Sequence, residues 1–359
     1  MEKILLFGTG KYFMTKHNIF EKYEVIGIID NKIKEPTKYD NTSIDMFNPA
    51  DIKDGVEKIF LMTMFFVSMW KQLVELGVNP NRIVYPYFLK PYFQSDSVVD
   101  EMVDNIVFTR EQIDITCKDG RIFSVKTQEE WNEVLRQIYR SRYRIIDAIS
   151  KMDLLPVSEQ FATERGTPID RYYIDMFLEK NSQYIKGDVL EIEDNAYTKK
   201  YGGNHYNSSI VMDLNSKNEN IDFNANIETG EGIKGAIADC FICTQTLMYI
   251  YDLKSAAHNI IEMLKSKGVA LITCSGLSQN SRRCMESYGA YWGFNEASLK
   301  KIFDNTDGAK VIESGTFGNV KTVSAHINGL CIEDIDESDF KENDVCYPLI
   351  VYAVVKKNE

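Results

Sequence analysis

Apolar runs of four to eight residues alternate with stretches of helical spacing along the chain, in two successive series. Residues 3–8 (KILLFG) predict a first strand, and the turn Gly8-Thr9-Gly10 follows it. Residues 11–22 have helical spacing, and residues 24–30 (EVIGIID) predict a second buried strand. Residues 59–66 predict a strand, 68–76 a helix and 82–87 a further strand, so residues 1–95 read as a small α/β unit. Residues 96–164 are expected to connect rather than merely link. A hairpin is predicted over 114–125, with Asp119-Gly120 supplying the turn that needs positive φ. Residues 127–152 are rich in helix formers, with Trp131, Leu135, Ile138, Tyr139 and Ile145 on one face.

The second series occupies residues 165–359. In RGTPIDRYYI, Pro168 suits a first helical turn and Thr167 its cap, and the helix is expected to run to about residue 181. Strands follow at 189–192, 209–213, 221–227 and 238–243. Asp252 is expected to cap a helix with Leu253, Ala256, Ile260 and Leu264 on one face, which Gly268 stops. A strand at 269–274, a helix at 294–303 and strands at 310–314 and 348–355 complete the series. Such alternation predicts a mostly parallel sheet covered on both faces. The acidic run 333–344 reads as a solvated loop.

Composition narrows the classes. The 359 residues suit two domains, and a net charge of -12 argues against a nucleic-acid partner that depends on phosphate neutralisation. No apolar run approaches the roughly 20 residues of a membrane helix, and the amino terminus lacks the pattern of a signal peptide. Seven scattered cysteines point to free thiols in a reducing cytoplasm. Cys240 and Cys243 would point to opposite faces of a strand, which suits neither a metal nor a redox pair. No metal set, phosphate-binding G-x-x-x-x-G-K-[ST] loop or G-x-S-x-G elbow occurs, so metal-dependent, ATPase and serine-hydrolase readings have no support.

Two stretches could hold a nucleotide. In the first series, Asp30 follows Gly10 by about 20 residues, the spacing of a ribose-binding acid, and Gly8, Gly10 and Asp30 are the candidate residues. Phe13 occupies the third glycine position, where a ring would hold helix off strand. In the second series, Asp213 lies about 20 residues beyond Glu193, again at ribose spacing.

The segments LLFGTGKY and VIGIIDN make residues 1–95 resemble the small Rossmann-like domains attached to bacterial sugar-modifying enzymes. The segments RGTPIDRYYIDMFL, VLEIEDNAYTKKYGG, CTQTLMYIYDLKSAAHNIIEMLKSKGVALIT, YWGFNEASLKKIF and YPLIVYAVV make residues 165–355 resemble class I S-adenosylmethionine-dependent methyltransferases. The resemblance is to the bacterial group associated with polysaccharide and glycan biosynthesis. It implies a doubly wound sheet of seven strands, the last in sequence antiparallel. It also implies S-adenosylmethionine as cofactor and a sugar, nucleotide sugar or glycan as acceptor. By position it places Glu191 near the cofactor's amino-acid moiety, Asp213 on the ribose, Asn226 beside the adenine, and Thr244 and Gln245 facing methyl donor and acceptor. Arg165 and Tyr172 lie in the segment that packs over the site in this group.

The chain departs from that pattern where glycines let the backbone approach the cofactor, because Glu193, Asn195 and Tyr197 stand there. Asn226 replaces an acid. His205, after Gly202-Gly203, is the candidate base, and His258 reads as structural. Tyr249, Tyr291 and Trp292, with Tyr251 and Tyr288, are either an acceptor pocket or buried packing. The expected function is methyl transfer. The alternatives are a non-catalytic scaffold that kept the fold, and a nucleotide-dependent oxidoreductase working from Gly8-Thr9-Gly10.

Overall fold

The computed structural model of the protein describes every residue except 17, 41, 53–57, 215–218 and 359. It divides into two compact units, Met1–Met152 and Asp153–Glu359.

The first unit contains strands β1 (Lys3–Phe7), β2 (Glu24–Ile29), β3 (Thr37–Lys38), β4 (Asp45–Phe47), β5 (Lys58–Leu61) and β6 (Ile83–Val84). They form one sheet in the order β3-β4-β2-β1-β5-β6, parallel except for the β3–β4 pair. A second, antiparallel sheet holds β7 (Val103–Phe108), β8 (Ile113–Cys117) and β9 (Ile122–Val125). The hairpin expected over 114–125 is thus present, with a third strand beside it. Its residues Ile113, Ile115 and Val125 share one hydrophobic core with β1 and β5, as do Trp131, Val134 and Ile138 of the helix Gln128–Arg142. The segment expected to connect two domains therefore belongs mostly to the first. The helix expected over 11–22 is two short ones, Lys11–Thr15 and Ile19–Lys22. Between them Lys16 turns inward.

The ammonium of Lys16 is fully buried and donates to Asp96 Oδ2 at 3.0 Å and to the Lys90 carbonyl at 2.6 Å. Asp96 also accepts from the hydroxyls of Tyr12 and Tyr85 and from the Tyr92 backbone. A charge survives burial only with such a complete set of partners.

The second unit contains β10 (Gly187–Ile192), β11 (Tyr206–Asp213), β12 (Phe223–Asn224), β13 (Ala238–Thr244), β14 (Leu264–Ser275), β15 (Ala309–Phe317) and β16 (Ile350–Lys357). Its single sheet runs β12-β11-β10-β13-β14-β16-β15, and β16 is antiparallel to both neighbours. This is the doubly wound, seven-stranded α/β sheet of the class I methyltransferase type, with its last strand reversed. Alternate residues serve opposite faces. Leu190 and Cys243 join the core under the helices Leu253–Met263 and Glu296–Asp304, while Val189 and Cys240 join the core under Ile169–Lys180 and Val320–Ile327. The two thiols of the C-x-x-C are thus on opposite faces and buried, and desolvation pushes Cys243 up to about 12.

Some elements differ from expectation for visible reasons. The helix Ile169–Lys180 has Pro168 as its N-cap, and Thr167 instead donates from its backbone and hydroxyl to Glu333. The acidic run is not only a solvated loop. It makes two 3-10 turns, Ile332–Asp334 and Glu337–Phe340, and buries Phe340. Among the described residues no helix is long and apolar enough to cross a membrane.

Removing one partner of the buried pair leaves the other charge uncompensated. Asp96→Ala is expected to destabilise the first unit by about 3–5 kcal/mol, read as a lower midpoint in urea denaturation followed by the tryptophans of that unit.

Candidate active site

The strand order reverses between β10 and β13, and ligands of open α/β sheets sit outside the carboxyl ends at such a point. Register places the relevant residues side by side. Ile192 pairs with Met212, and Glu191 pairs with Ile242. Continued past the last pair, the same register sets Glu193 between Asp213 and Thr244, on neighbouring strands about 4.8 Å apart. The Glu193 backbone N–H donates to the Met212 carbonyl at 2.9 Å.

Two residues on this rim have left-handed backbones that favour glycine. Glu193 has φ 73° and Gln245 has φ 48°. A side chain there costs about 1–2 kcal/mol, and such strain gathers where function fixes the backbone. Glu193 therefore has a backbone conformation that glycine adopts without strain. Gln245 is held from β14: its N–H donates to the Thr273 carbonyl at 2.8 Å, and its Oε1 accepts from Ser275 Oγ at 2.7 Å.

Glu191 lies beneath the rim and is buried. Its carboxylate accepts from the N–H groups of Tyr197 and Thr198 and from Thr198 Oγ1, which pins the turn after β10. Burial raises its pKa against the opposing pull of these donors. Asn226 follows β12 and spends its side-chain oxygen on the N–H groups of Glu228 and Thr229, so that oxygen shapes the loop.

Beyond Gln245 in the chain, three aromatic rings stand in solvent. Tyr251, Tyr291 and Trp292 are 66, 47 and 43% exposed, and the Tyr251 ring lies 5.4 Å from that of Tyr291 and 6.2 Å from that of Trp292. The indole N–H of Trp292 is fixed by the Ile250 carbonyl. These residues are a surface, not core. Tyr249 is half-buried beside Cys284, and burial followed by that thiol raises its pKa. Tyr172 packs its ring on Phe340 at 4.3 Å. Arg165 makes a bidentate pair with Asp334 at 3.0 and 3.1 Å and also reaches the Gly329 carbonyl. Both residues tie the segment 165–172 to the acidic run.

His205 is corrected by the structure. Helix Ala196–Tyr201 carries the chain back down the sheet, and His205 stands just before β11, its carbonyl bonded to Gly187 at the start of β10. Six residues of β10 separate that level from the rim, about 20 Å at strand rise. It is at the wrong end to act as a base there. A histidine that the sequence reading passed over, His326, lies instead at the carboxyl-end side, with Nε2 2.9 Å from Ser278 Oγ. Its distance along the chain from the other motifs hid it.

In the first unit, Gly8 has φ 107° and bonds through its N–H to Ile29, while Gly10 precedes the helix. Asp30 is engaged by Thr9, whose N–H and hydroxyl donate to it at 2.9 and 2.6 Å. The turn therefore closes on its own acid. Phe13 is buried against Phe20 and Tyr39. Among the described residues no group of His, Cys, Asp and Glu could hold a metal ion.

No family model matches the chain, and no curated protein matches it. Among solved structures it is similar to the N-methyltransferase NodS from Bradyrhizobium japonicum WM9, at 15% identity and a TM-score of 0.34, over 54% of this chain and 98% of that one. NodS in complex with S-adenosyl-L-homocysteine gives 16% identity and a TM-score of 0.36, over 54% and 90%. An S-adenosylmethionine-dependent methyltransferase from Mesorhizobium loti gives 9% identity and a TM-score of 0.35, over 53% and 98%. These likenesses are weak, and the fold rests on the sheet order given above.

Glu193→Gly is expected to stabilise the second unit by about 1 kcal/mol, the left-handed strain relieved less the added freedom of the unfolded chain, as read by chemical denaturation. The backbone of Cys331, then its thiol and Arg165, hold Asp334 at about 2, below its ordinary 3.8. A depressed carboxyl contributes stability above the ordinary value and loses it as pH falls through the folded one. The thermal midpoint is therefore expected to fall between pH 4 and 2, and less so in Asp334→Asn.

Proposed function

We propose that the second unit is a methyltransferase that uses S-adenosylmethionine and acts on a sugar, nucleotide sugar or glycan. The observation that carries this reading is the rim at the switch point, where Glu193, Asp213 and Thr244 stand abreast and Glu193 holds a glycine's backbone conformation. The residues fit the cofactor. Asp213 would take the ribose hydroxyls, since a carboxylate accepts from both. The turn pinned by Glu191 would carry the amino-acid end, and Thr244 and Gln245 would face the methyl group and the acceptor. Glu193, Asp194 and Asp213 add negative charge where a sulfonium would lie. When bound, the cofactor supplies an electrophilic methyl group, and alignment with the acceptor provides much of the rate.

The acceptor class follows from the exposed rings. Tyr251, Tyr291 and Trp292 present flat apolar faces with polar handles, which suit the face of a sugar ring. All seven cysteines are free, in accord with a cytoplasmic site of action. One observation favours the second reading, a scaffold without cofactor: the Asn226 oxygen is committed to its own loop and does not replace the adenine contact of an acid.

Isothermal titration decides between them. S-adenosylmethionine and S-adenosylhomocysteine are expected to bind, and Asp213→Ala to weaken both by roughly tenfold or more, for the loss of charge-assisted hydrogen bonds. No heat with either ligand well above micromolar concentration would leave the scaffold reading.

A further inference from the structure

Two polar atoms near the carboxyl-end rim are buried without a hydrogen-bond partner: Nδ1 of His326 and Oδ1 of Asp170. His326 is 1% exposed on the helix Val320–Ile327, and Asp170 is in the first turn of Ile169–Lys180. A buried polar atom left unpaired costs about 1–3 kcal/mol. An apolar side chain in place of His326 would avoid that cost, so packing alone does not account for it.

The surroundings point to the acceptor. Ser278 follows the end of β14 by three residues, and Ser275 at that end bonds to Gln245. Three residues of chain span at most about 10 Å, so Ser278 lies within that distance of the strand end that holds Gln245. It is half-buried, whereas the imidazole behind it is covered by the Phe161 ring at 5.5 Å. Phe161 and Ala162 are both left-handed, with φ 57° and 66°, a strained pair of the kind found where a site is held in shape.

We infer that Ser278 and His326 together accept the proton of the methyl acceptor, with Asp170 as the counter-charge of the imidazolium, and that the acceptor group is a hydroxyl. This rests on the methyl-transfer reading above. The acceptor's O–H proton moves to Ser278 Oγ as the Ser278 hydroxyl proton moves to His326 Nε2. The acceptor oxygen forms the new C–O bond, and the electron pair of the broken C–S bond stays on sulfur. The products are a methyl ether, a thioether and an imidazolium, which returns its proton to solvent. A hydroxyl holds its proton far above neutral pH and needs such a base, whereas a neutral amine attacks through its own lone pair.

Burial lowers the pKa of His326 and the Asp170 charge opposes it, so the ring is neutral at pH 7 and can accept a proton. Ser278 as a covalent nucleophile is disfavoured, because the following helix starts only at Arg282 and no strand-to-helix elbow presents the hydroxyl. The Ser278 hydroxyl has two acceptors in reach, His326 Nε2 at 2.9 Å and the Gln279 carbonyl at 3.1 Å. The tautomer of His326 decides which it uses.

The test is two-bond 1H–15N correlation on the full chain labelled with 15N-histidine, assigned through His326→Gln and checked by the shift changes in Ser278→Ala. At pH 7.5 the expected form carries the proton on Nδ1 and leaves Nε2 as the lone pair toward Ser278. Asp170→Asn is expected to lower the titration midpoint of His326. The Nε2–H tautomer, or a midpoint that Asp170→Asn does not move, overturns the inference. Calorimetry with S-adenosylhomocysteine on the same wild-type sample separates the two levels. Binding with the wrong tautomer removes the proton relay alone, and no binding removes the methyl-transfer reading and this inference with it.

Discussion

The second unit depends on one constraint, the adjacency of β10 and β13. The chain leaves β10 toward the face covered by Ile169–Lys180, where Tyr197 and Tyr201 pack, and leaves β13 toward the face covered by Leu253–Met263. Two connections departing to opposite faces cannot fill the space between them, and a crevice opens over the strand ends. Glu193, Asp213 and Thr244 reach that crevice because their strands end beside it. The antiparallel β16 closes the sheet between β14 and β15 with a nearly continuous buried run.

Holding the crevice open has a local cost, and the supports are visible. Glu193 and Gln245 are kept left-handed by hydrogen bonds to the neighbouring strands, through Met212 on one side and Thr273 and Ser275 on the other. Glu191 spends a buried carboxylate on the turn that follows. Strain above and a buried acid below are two parts of the same arrangement. A single hydrogen bond of this kind contributes only about 1 kcal/mol net, and at Gln245 the side-chain bond from Ser275 adds to the backbone bond to Thr273.

The first unit uses its polar residues differently. Asp30, at the distance expected of a ribose acid, is consumed by Thr9, and Asp96 neutralises a lysine inside the core. Acids at suggestive spacing thus stand in different settings in the two units. In one the side chain closes its own turn. In the other Asp213 ends a strand at the rim of a crevice.

Hydrophobic period and length were enough to read most strands of both units and the helix capped by Asp252, because buried parallel strands are continuous apolar runs bounded by turns. The reversal of the last strand was implied only by the resemblance to class I methyltransferases. Spacing along the chain also set Asp213 about 20 residues beyond Glu193, while Thr244 and Gln245 were singled out by the resemblance alone. Which end of the sheet a loop occupies is not written in local pattern. His205 looked close to the site in sequence and is carried to the far edge by six residues of helix. His326 looked remote and is brought beside Ser278 by β15, β16 and the helix between them. Exposure was decided in the same way: the Tyr251, Tyr291 and Trp292 cluster is as aromatic as any core, and only the packing of its neighbours leaves it in water. The sequence determined the elements and their order. The tertiary structure decided which side chains share a space, because contacts between residues far apart in the chain are made only when the sheet assembles.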